Sequence, residues 1–161
     1  MTPESRARVL SIDVGVNGAF AAFGPQGDIV DMGELPRFQK TLSGVELASI
    51  FAMHQPQLAV LEKVASRPGQ GVVSVFTFGY ACGMIYGVAC GAGVPVSFVT
   101  PSRWKTHFRL TGKPKDAARE LAIRLYPRSS SMLALKKHCG RADALLMGRF
   151  ALDVEAGRGF V

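Results

Sequence analysis

The chain has 161 residues, of which 48% are apolar and 19% are charged. This balance excludes a disordered chain and predicts a single globular domain, residues 1–161, with its core over about residues 8–152. The net charge of +7 is uneven, because residues 100–161 carry thirteen Lys and Arg against five Asp and Glu, whereas residues 1–99 carry six against seven. The asymmetry predicts a polyanionic partner, with nucleic acid ahead of an anionic membrane surface and a solvated basic helix face as the alternative.

The apolar pattern predicts five strands and four helices in the order βββ-α-β-α-β-α-α. The strands are expected at Arg8–Asp13, Gly18–Phe23, Ile29–Gly33, Gln57–Glu62 and Val94–Thr100. The helices are expected at Leu42–His54, Ser74–Cys90, Asp116–Tyr126 and Arg141–Leu152. This order predicts an α/β fold, a mixed five-stranded sheet with helices on both faces.

One long segment, from residue 68 to residue 102, contains no charged residue and is long enough to span a bilayer. Gly and Pro interrupt both of its ends, so we expect a short core helix and a buried strand, and no membrane partner. Four glycines recur in its helical part at every fourth position: Gly79, Gly83, Gly87 and Gly91. This stripe of small residues either packs on the sheet or forms the seam of a two-fold dimer.

The three cysteines are an odd number and form no C-x-x-C pair, which argues against a disulfide framework and against a zinc ribbon. No signal peptide is visible before Asp13. We therefore predict a reduced, intracellular protein.

Three carboxylates stand in apolar surroundings. Asp13 and Glu62 each end an apolar strand, and Asp143 lies inside the apolar run of the last helix. A carboxylate placed in this way needs compensation, either by Lys or Arg or by a hard divalent cation with oxygen ligands. If the fold gathers the three, their mutual repulsion favours a metal centre. Taken singly, each could be an ordinary polar residue that faces solvent.

Six short sequence motifs occur along the chain in the same order as in a known protein family. They are Ile12–Gly15 (I-D-V-G), Leu61–Val64 (L-E-K-V), Pro68–Gly71 (P-G-Q-G), Phe78–Tyr80 (F-G-Y), Thr100–Phe108 (T-P-S-R-W-K-T-H-F) and Lys136–Leu146 (K-K-H-C-G-R-A-D-A-L-L). Together they resemble the RuvC-like Holliday-junction resolvases, most of all the phage-encoded and chloroplast branch. The resemblance implies an RNase H-like fold, a homodimer, dependence on Mg²⁺ or Mn²⁺, and cleavage of four-way DNA junctions.

By position, Asp13, Glu62 and Asp143 match the family's catalytic and metal-binding carboxylates. Phosphodiester hydrolysis suits such a cluster, because two cations bridged by one carboxylate can activate water and stabilise the transition state. Asp13, on the first strand, is the expected bridge. Bacterial members carry another acid or a His three residues before the last carboxylate, where this chain has Gly140. His138 is the candidate fourth ligand, with a phosphate contact as its alternative role.

The basic half supplies the expected DNA contacts, since phosphate contacts of Lys and Arg dominate DNA affinity. Lys105 and Lys115 resemble the two lysines that the family places near the scissile phosphate, and we expect Lys115 to take part in catalysis. The predicted DNA-binding residues are Lys63, Arg67, Gln70, Lys105, Lys113, Lys136, Lys137 and Arg141. Ordinary solvated side chains are the alternative for the lysines.

Some features stay open at this point. Where bacterial relatives carry an aromatic residue that opens the junction, this chain has Ala65; Phe76 or Phe78 could substitute, or both could pack in the core. A non-catalytic branched-DNA-binding module is one rival function. A fragment of the sugar-kinase and actin-like superfamily is another, but its nucleotide site needs two domains, so we expect no nucleotide cofactor. The expected location is the cytoplasm of a bacterial or phage-infected cell, or an organelle matrix in a eukaryote.

Overall fold

The structure, a computed structural model, describes residues 7–15, 18–63, 65–66 and 68–158, the last four of these as backbone only. Its strands are β1 (Val9–Asp13), β2 (Ala19–Phe23), β3 (Ile29–Glu34), β4 (Arg37–Phe38), β5 (Thr41–Leu42), β6 (Leu58–Glu62) and β7 (Val96–Val99). Its α-helices are α1 (Gly44–His54), α2 (Val72–Gly91), α3 (Pro101–His107), α4 (Ala117–Leu125) and α5 (Cys139–Arg158). Two 3-10 helices, Pro127–Leu133 and Lys136–His138, connect α4 to α5.

Five strands form one mixed sheet in the order β3-β2-β1-β6-β7. β1 is antiparallel to β2 and parallel to β6, while β3 is antiparallel to β2 and β7 is parallel to β6. The carboxyl ends of β1, β6 and β7 therefore lie at one edge of the sheet. Helices cover both faces, so the predicted α/β architecture is confirmed.

The side chains of β1 alternate between two cores. Leu10 and Ile12 belong to the core under α1 and α2, whereas Val9 belongs to the core under α3, α4 and α5. Asp13 lies four residues after Val9 on the same strand, so its side chain points to the same face of the sheet, the face that α5 covers. Every residue of β1 is buried, so this carboxylate stands at the end of a strand that has little contact with water.

α5 packs on β1 and β2, and Gly148 allows its close approach. A Cβ atom at this position would lie 2.9 Å from the Cβ atom of Ser11 and closer still to the ring of Phe23, and both of these side chains are fully buried. Only glycine lets the helix lie so near the sheet. The contact also fixes Asp143, which lies five residues earlier on the same helix.

Several elements differ from the sequence prediction. The β4–β5 hairpin, α3 and the two 3-10 helices were not predicted, because segments of two to seven residues show too little periodicity. The last helix begins at Cys139 and continues to Arg158, beyond the predicted Arg141–Leu152. The predicted strand Val94–Thr100 is shorter, Val96–Val99.

Candidate active site

Three carboxylates meet at the edge where β1 and β6 end. Ile12 pairs with Leu61 across these parallel strands, so Asp13 and Glu62 end the two strands side by side. Asp143 comes from α5 and lines the same cavity as Asp13. The structure therefore places the three carboxylates that the sequence singled out near one edge of the sheet, with Asp13 and Asp143 in a shared cavity.

Burial raises the pKa of two of these carboxyl groups. Loss of hydration raises the pKa of Asp13 to about 6; the backbone N–H of Gly15, which donates to Asp13 Oδ1 over 3.1 Å, opposes this shift, and the charge of Glu62 adds to it. Loss of hydration also raises the pKa of Asp143 to about 7, with a further rise from the charge of Asp13. Ionisation of Asp13 and of Asp143 is therefore costly, and the charge of Asp13 adds to the cost for Asp143.

The donor set suits a hard divalent cation. Among the described residues, no Lys or Arg forms an ion pair with Asp13, Glu62 or Asp143. Uncompensated oxygen ligands of this kind are those that Mg²⁺ and Mn²⁺ prefer. The described side chains include no group of three His, Cys, Asp or Glu already gathered around one point. A cation would therefore have to draw the carboxylates closer together.

Trp104 orients Glu62, a role that was not predicted from the sequence. Its indole ring is fully buried, and Nε1 donates a hydrogen bond of 3.3 Å to Oε1 of Glu62. The position follows from α3, which begins at Pro101 directly after β7. Lys105, the next residue, places its Nζ 5.3 Å from the centroid of the indole ring. The available signal was the only Trp of the chain, next to a predicted phosphate-binding lysine.

Two cavities bring lysines to the carboxylates. The larger, about 560 Å³ and called the carboxylate cavity below, is lined by Asp13, Asp143, Lys115, Lys136 and Lys137 among others. The second, about 340 Å³, is lined by Trp104, Lys105, Lys113, Lys115 and Asp143 among others. Lys115 and Asp143 belong to both. Five of the predicted basic residues thus line cavities that contain Asp13 or Asp143. Two of them, Lys105 and Lys115, lower the pKa of both carboxyl groups and so offset the effect of burial in part.

Two predicted site residues are engaged elsewhere. His138 is buried and does not line the carboxylate cavity; its Nδ1 accepts a hydrogen bond from the backbone N–H of Leu135. Arg141 donates to the carbonyl oxygen of Met132 over 2.9 Å and to the carboxylate of Glu34 over 2.8 Å. His138 therefore holds the turn before α5, and Arg141 holds the 3-10 segment. The predicted roles of His138 toward a cation and of Arg141 toward DNA stay predictions.

The loop after Glu62 is described only in part. Lys63 and Gln70 are exposed, whereas Arg67 lies outside the described residues. Phe78 is half-buried and packs against the core under α1 and α2, as core packing would require. Phe76 is 75% exposed, so it stays a candidate for opening a junction.

α2 carries an apolar face that no described part of the protomer covers. Cβ atoms built at Gly79, Gly83, Gly87 and Gly91 would meet no atom within 4 Å, so this stripe does not pack on the sheet. By length and composition alone, α2 is also the one described helix that could cross a membrane, and only 11% of its apolar window is buried. The face is therefore available to an apolar partner.

The fold defines a structural class. It matches Thermus thermophilus RuvC with a TM-score of 0.64 and 16% identity, over 92% of this chain and 96% of RuvC. It matches the fowlpox virus Holliday junction resolvase with a TM-score of 0.63 and 16% identity, over 91% and 98% of the two chains. At these identities the likeness shows the fold alone, and this is the RuvC-type, RNase H-like fold that the motifs implied. Both relatives also have structures with Holliday junction DNA.

A sequence relative is more specific. Over 93 residues, this chain is 40% identical to the chloroplastic Holliday junction resolvase MOC1 of Chlamydomonas reinhardtii. The matched segment is 57% of this chain but spans only 10% of the length of that relative. No family model matches the chain. The resemblance to RuvC-like resolvases that the motifs indicated is confirmed by this relative and by the matching folds.

Proposed function

We propose that this protein is a metal-dependent, structure-selective endodeoxyribonuclease that resolves four-way (Holliday) DNA junctions by paired phosphodiester hydrolysis. The observation that carries the proposal is the carboxylate cavity, where Asp13 and Asp143 share one space with Lys115 and two further lysines. A module that only binds DNA would use the lysines, but the buried and unpaired carboxylates would serve no purpose and would cost stability. A nuclease needs both.

Asp13, Glu62 and Asp143 would hold Mg²⁺ or Mn²⁺, with two ions in each active site and Asp13 shared between them. Bound ions would supply an activated water, charge stabilisation and help for the departing 3′ oxygen. The protein's own contribution is positional. The N–H of Gly15 holds one oxygen of Asp13, and the indole of Trp104 holds one oxygen of Glu62, which leaves the second oxygen of each carboxylate for a cation.

Lys115 would act on the phosphate itself. It lines both cavities beside Asp143, and its exposed side chain is free to approach a phosphate oxygen. Its attraction for the phosphate grows as negative charge accumulates in the transition state, so its contribution to rate exceeds its contribution to binding. Lys105, Lys113, Lys136 and Lys137 would hold the flanking phosphates.

We infer that the active form is a homodimer joined along α2. Paired cuts on two strands need two active sites, and a two-fold axis supplies them. The uncovered glycine stripe would let a second helix approach closely. A bilayer is the alternative occupant of this face. However, Ile85 and Ala89 of α2 are fully buried against the sheet, so insertion would expose the core under α1 and α2.

The proposed place of action is wherever branched DNA arises, in the cytoplasm of a bacterial or phage-infected cell or in an organelle matrix. The organelle option is supported by the name of the relative, which is a chloroplastic protein.

Nicking of a synthetic four-way junction tests the proposal. The purified protein is mixed in excess with labelled junction, with linear duplex of the same arms, and with ATP in a separate assay. We expect symmetric nicks in the junction with Mg²⁺ or Mn²⁺ and none with EDTA. Junction binding without nicking would instead show a non-catalytic branched-DNA-binding module. Turnover of ATP would support a relation to the sugar-kinase and actin-like superfamily.

A further inference from the structure

Two surface segments carry the lysines that line the carboxylate cavity. Residues 111–115 end at Lys115, and residues 134–137 end with Lys136 and Lys137. Every residue of both segments is exposed, so none of their side chains is anchored in the core. The positions of the three lysines relative to the carboxylates therefore depend on what holds the ends of the two segments.

Arg119, on α4, forms hydrogen bonds with the ends of both segments. Its Nε donates to Oδ1 of Asp116 over 2.7 Å and its Nη2 to Oδ2 over 2.9 Å, so the guanidinium holds both oxygens of the residue that follows Lys115. Its Nη1 donates to the carbonyl oxygens of Leu133 and Ala134, over 2.9 and 3.4 Å. The side chain of Arg119 is only 13% exposed. One largely buried guanidinium thus joins the two segments.

We propose that Arg119 is a positioning residue, which fixes Lys115 on one side of the carboxylate cavity relative to Lys136 and Lys137 on the other. The inference rests on the proposed nuclease function and adds a residue that acts through these lysines. Arg119 itself does not line the cavity, so it does not contact a phosphate bound there. That phosphate would instead meet a set of charges already in place, which need little rearrangement during the reaction.

Asp116 makes this contact in place of a more common one. It stands at the start of α4, where an Asp side chain often accepts a hydrogen bond from a backbone N–H of the first turn. Asp116 accepts no such bond, and both of its oxygens bond to Arg119 instead. The guanidinium holds the pKa of Asp116 below its usual value, so the pair stays ionised. An acidic side chain in the lining of a phosphate site repels the phosphate, so its presence there is explained by the residue that it holds.

A second arginine shows by contrast what is particular to Arg119. Arg141 bonds to the carbonyl oxygen of Met132 and to the carboxylate of Glu34, so it ties the 3-10 helix Pro127–Leu133 to the sheet. Both guanidinium groups lie at the carbonyl end of this short helix, where positive charge is favourable. Arg119 instead ties that end to the start of α4, and it therefore couples the lysines on the two sides of the cavity.

Asp116→Asn tests the proposal by the sign of its effect. Loss of a negative charge from the cavity lining would by itself favour the phosphate and leave the cleavage rate unchanged or raised. Loss of the grip on Arg119 should lower the rate, because Lys115 is then held less firmly. We expect the single-turnover rate at saturating protein to fall by about three- to tenfold. Junction affinity should stay within about threefold of wild type, since the lysines can still contact phosphates.

Arg119→Ala removes the whole contact and should lower the cleavage rate by about 10–100-fold. In the Lys115→Ala background, the same change should lower the rate by no more than about threefold, because a lysine that is absent cannot be misplaced. Arg119→Lys keeps the charge but not the planar fork, and should not restore the rate. Arg149→Ala is the matched control, since it removes another Arg–Asp pair with an Nε–Oδ1 distance of 2.7 Å, on α5.

Melting temperatures are measured for every variant, so that a loss of rate is compared among folded proteins. If Arg119→Ala does not fold, Asp116→Asn takes its place in the cycle with Lys115→Ala. A rate for Asp116→Asn at or above that of wild type, additive losses in the double variant, or full recovery in Arg119→Lys would overturn the positioning role while the nuclease stands. A wild-type protein that nicks no junction with Mg²⁺ or Mn²⁺ would overturn the proposed nuclease and this role with it.

Discussion

α2 and α5 are both 20 residues long and flank the same sheet, yet they serve it differently. α5 fully buries residues 144–147, whereas in α2 only Ile85 and Ala89 are buried. Their glycines show the contrast most clearly. A Cβ atom at Gly148 of α5 would collide with Phe23 and Ser11 of the sheet, while a Cβ atom at Gly83 of α2 would meet no atom within 4 Å. An apolar helix can therefore pack closely on the sheet and fix a carboxylate such as Asp143, or it can leave a face uncovered for another molecule. Composition alone does not distinguish the two.

The largest expected effect is that of replacing Asp13, whose side chain lies on the face of the sheet that α5 covers. Asp13→Asn keeps the shape of the side chain but removes the charge that would hold the cations. We expect a loss of at least about 10³-fold in the single-turnover cleavage rate. Junction affinity should be unchanged or tighter, because repulsion of the phosphate is relieved. Asp28→Asn, the same change at an exposed carboxylate, is the control. Cleavage at the wild-type rate would remove Asp13 from the metal site.

Lys115→Ala should lower the cleavage rate by about 10²–10³-fold, because its charge acts on the transition state. Affinity should fall far less, since one phosphate contact is a small share of the total. The measurement is single-turnover cleavage at saturating protein, with Arg124→Ala as an exposed control on α4. If Lys115 is only part of the solvated basic surface, the cleavage rate will stay within about twofold of wild type. The slope of log affinity against log salt concentration will then decrease in magnitude by about one.

Gly148→Ala tests the packing of α5. The added methyl group meets the fully buried ring of Phe23, so we expect a loss of about 1–3 kcal/mol in the free energy of unfolding. Gly83→Ala is the matched change on α2, where space is open and alanine favours the helix by about 1 kcal/mol. The free energy of unfolding of both variants is measured by urea denaturation. Equal effects at the two positions would contradict the contrast between the helices.

Gly83→Leu tests whether the uncovered face of α2 forms the dimer interface. A large side chain in the glycine stripe should hold the two copies of α2 apart and weaken dimerisation by about tenfold or more, while the protomer stays folded. Sedimentation equilibrium measures the dimer, and nicking assays score cuts on both strands of the same junction. A monomeric wild type that still makes paired cuts would rule out the seam along α2.

Much of the sheet and of the carboxylate site could be predicted, because each depends on local pattern. Asp13 and Glu62 end apolar strands, and Asp143 interrupts an apolar helix, so their positions are visible in the sequence. The parallel pairing of β1 with β6 then brings two of them together. The burial of α2 and α5 was not predictable in the same way, because both helices are apolar and only the packed structure shows which one the sheet covers.

Contacts between distant segments account for what the sequence did not reveal. The hydrogen bond from Trp104 to Glu62 joins residues 42 positions apart, and the ion pair of Arg141 with Glu34 joins residues 107 apart. The charge of Arg141 predicts a DNA contact, whereas no local pattern in the sequence shows its partner Glu34.

The smallest expected effect concerns the pH dependence of stability in the metal-free protein. Burial raises the pKa of Asp143 to about 7 and that of Asp13 to about 6, from an ordinary value near 3.8. The folded protein therefore holds protons more tightly at these groups than the unfolded chain. Their contribution to stability is present below about pH 4 and is lost as pH rises through about 6 to 7. In EDTA, the wild type should melt a few degrees lower at pH 8 than at pH 5 on account of these groups.

Asp143→Asn should remove part of this loss, because the amide carries no charge to bury. At pH 8 in EDTA its melting temperature should exceed that of wild type by about 2–4 °C, the shift that roughly 1 kcal/mol produces in a chain of this size. Mg²⁺ should raise the melting temperature of wild type, since it binds only the folded carboxylates, and should leave Asp143→Asn nearly unchanged. A variant that is less stable than wild type at pH 8 would mean that Asp143 supports the packing of α5 rather than straining it. A full response to Mg²⁺ would exclude this carboxylate from the metal site.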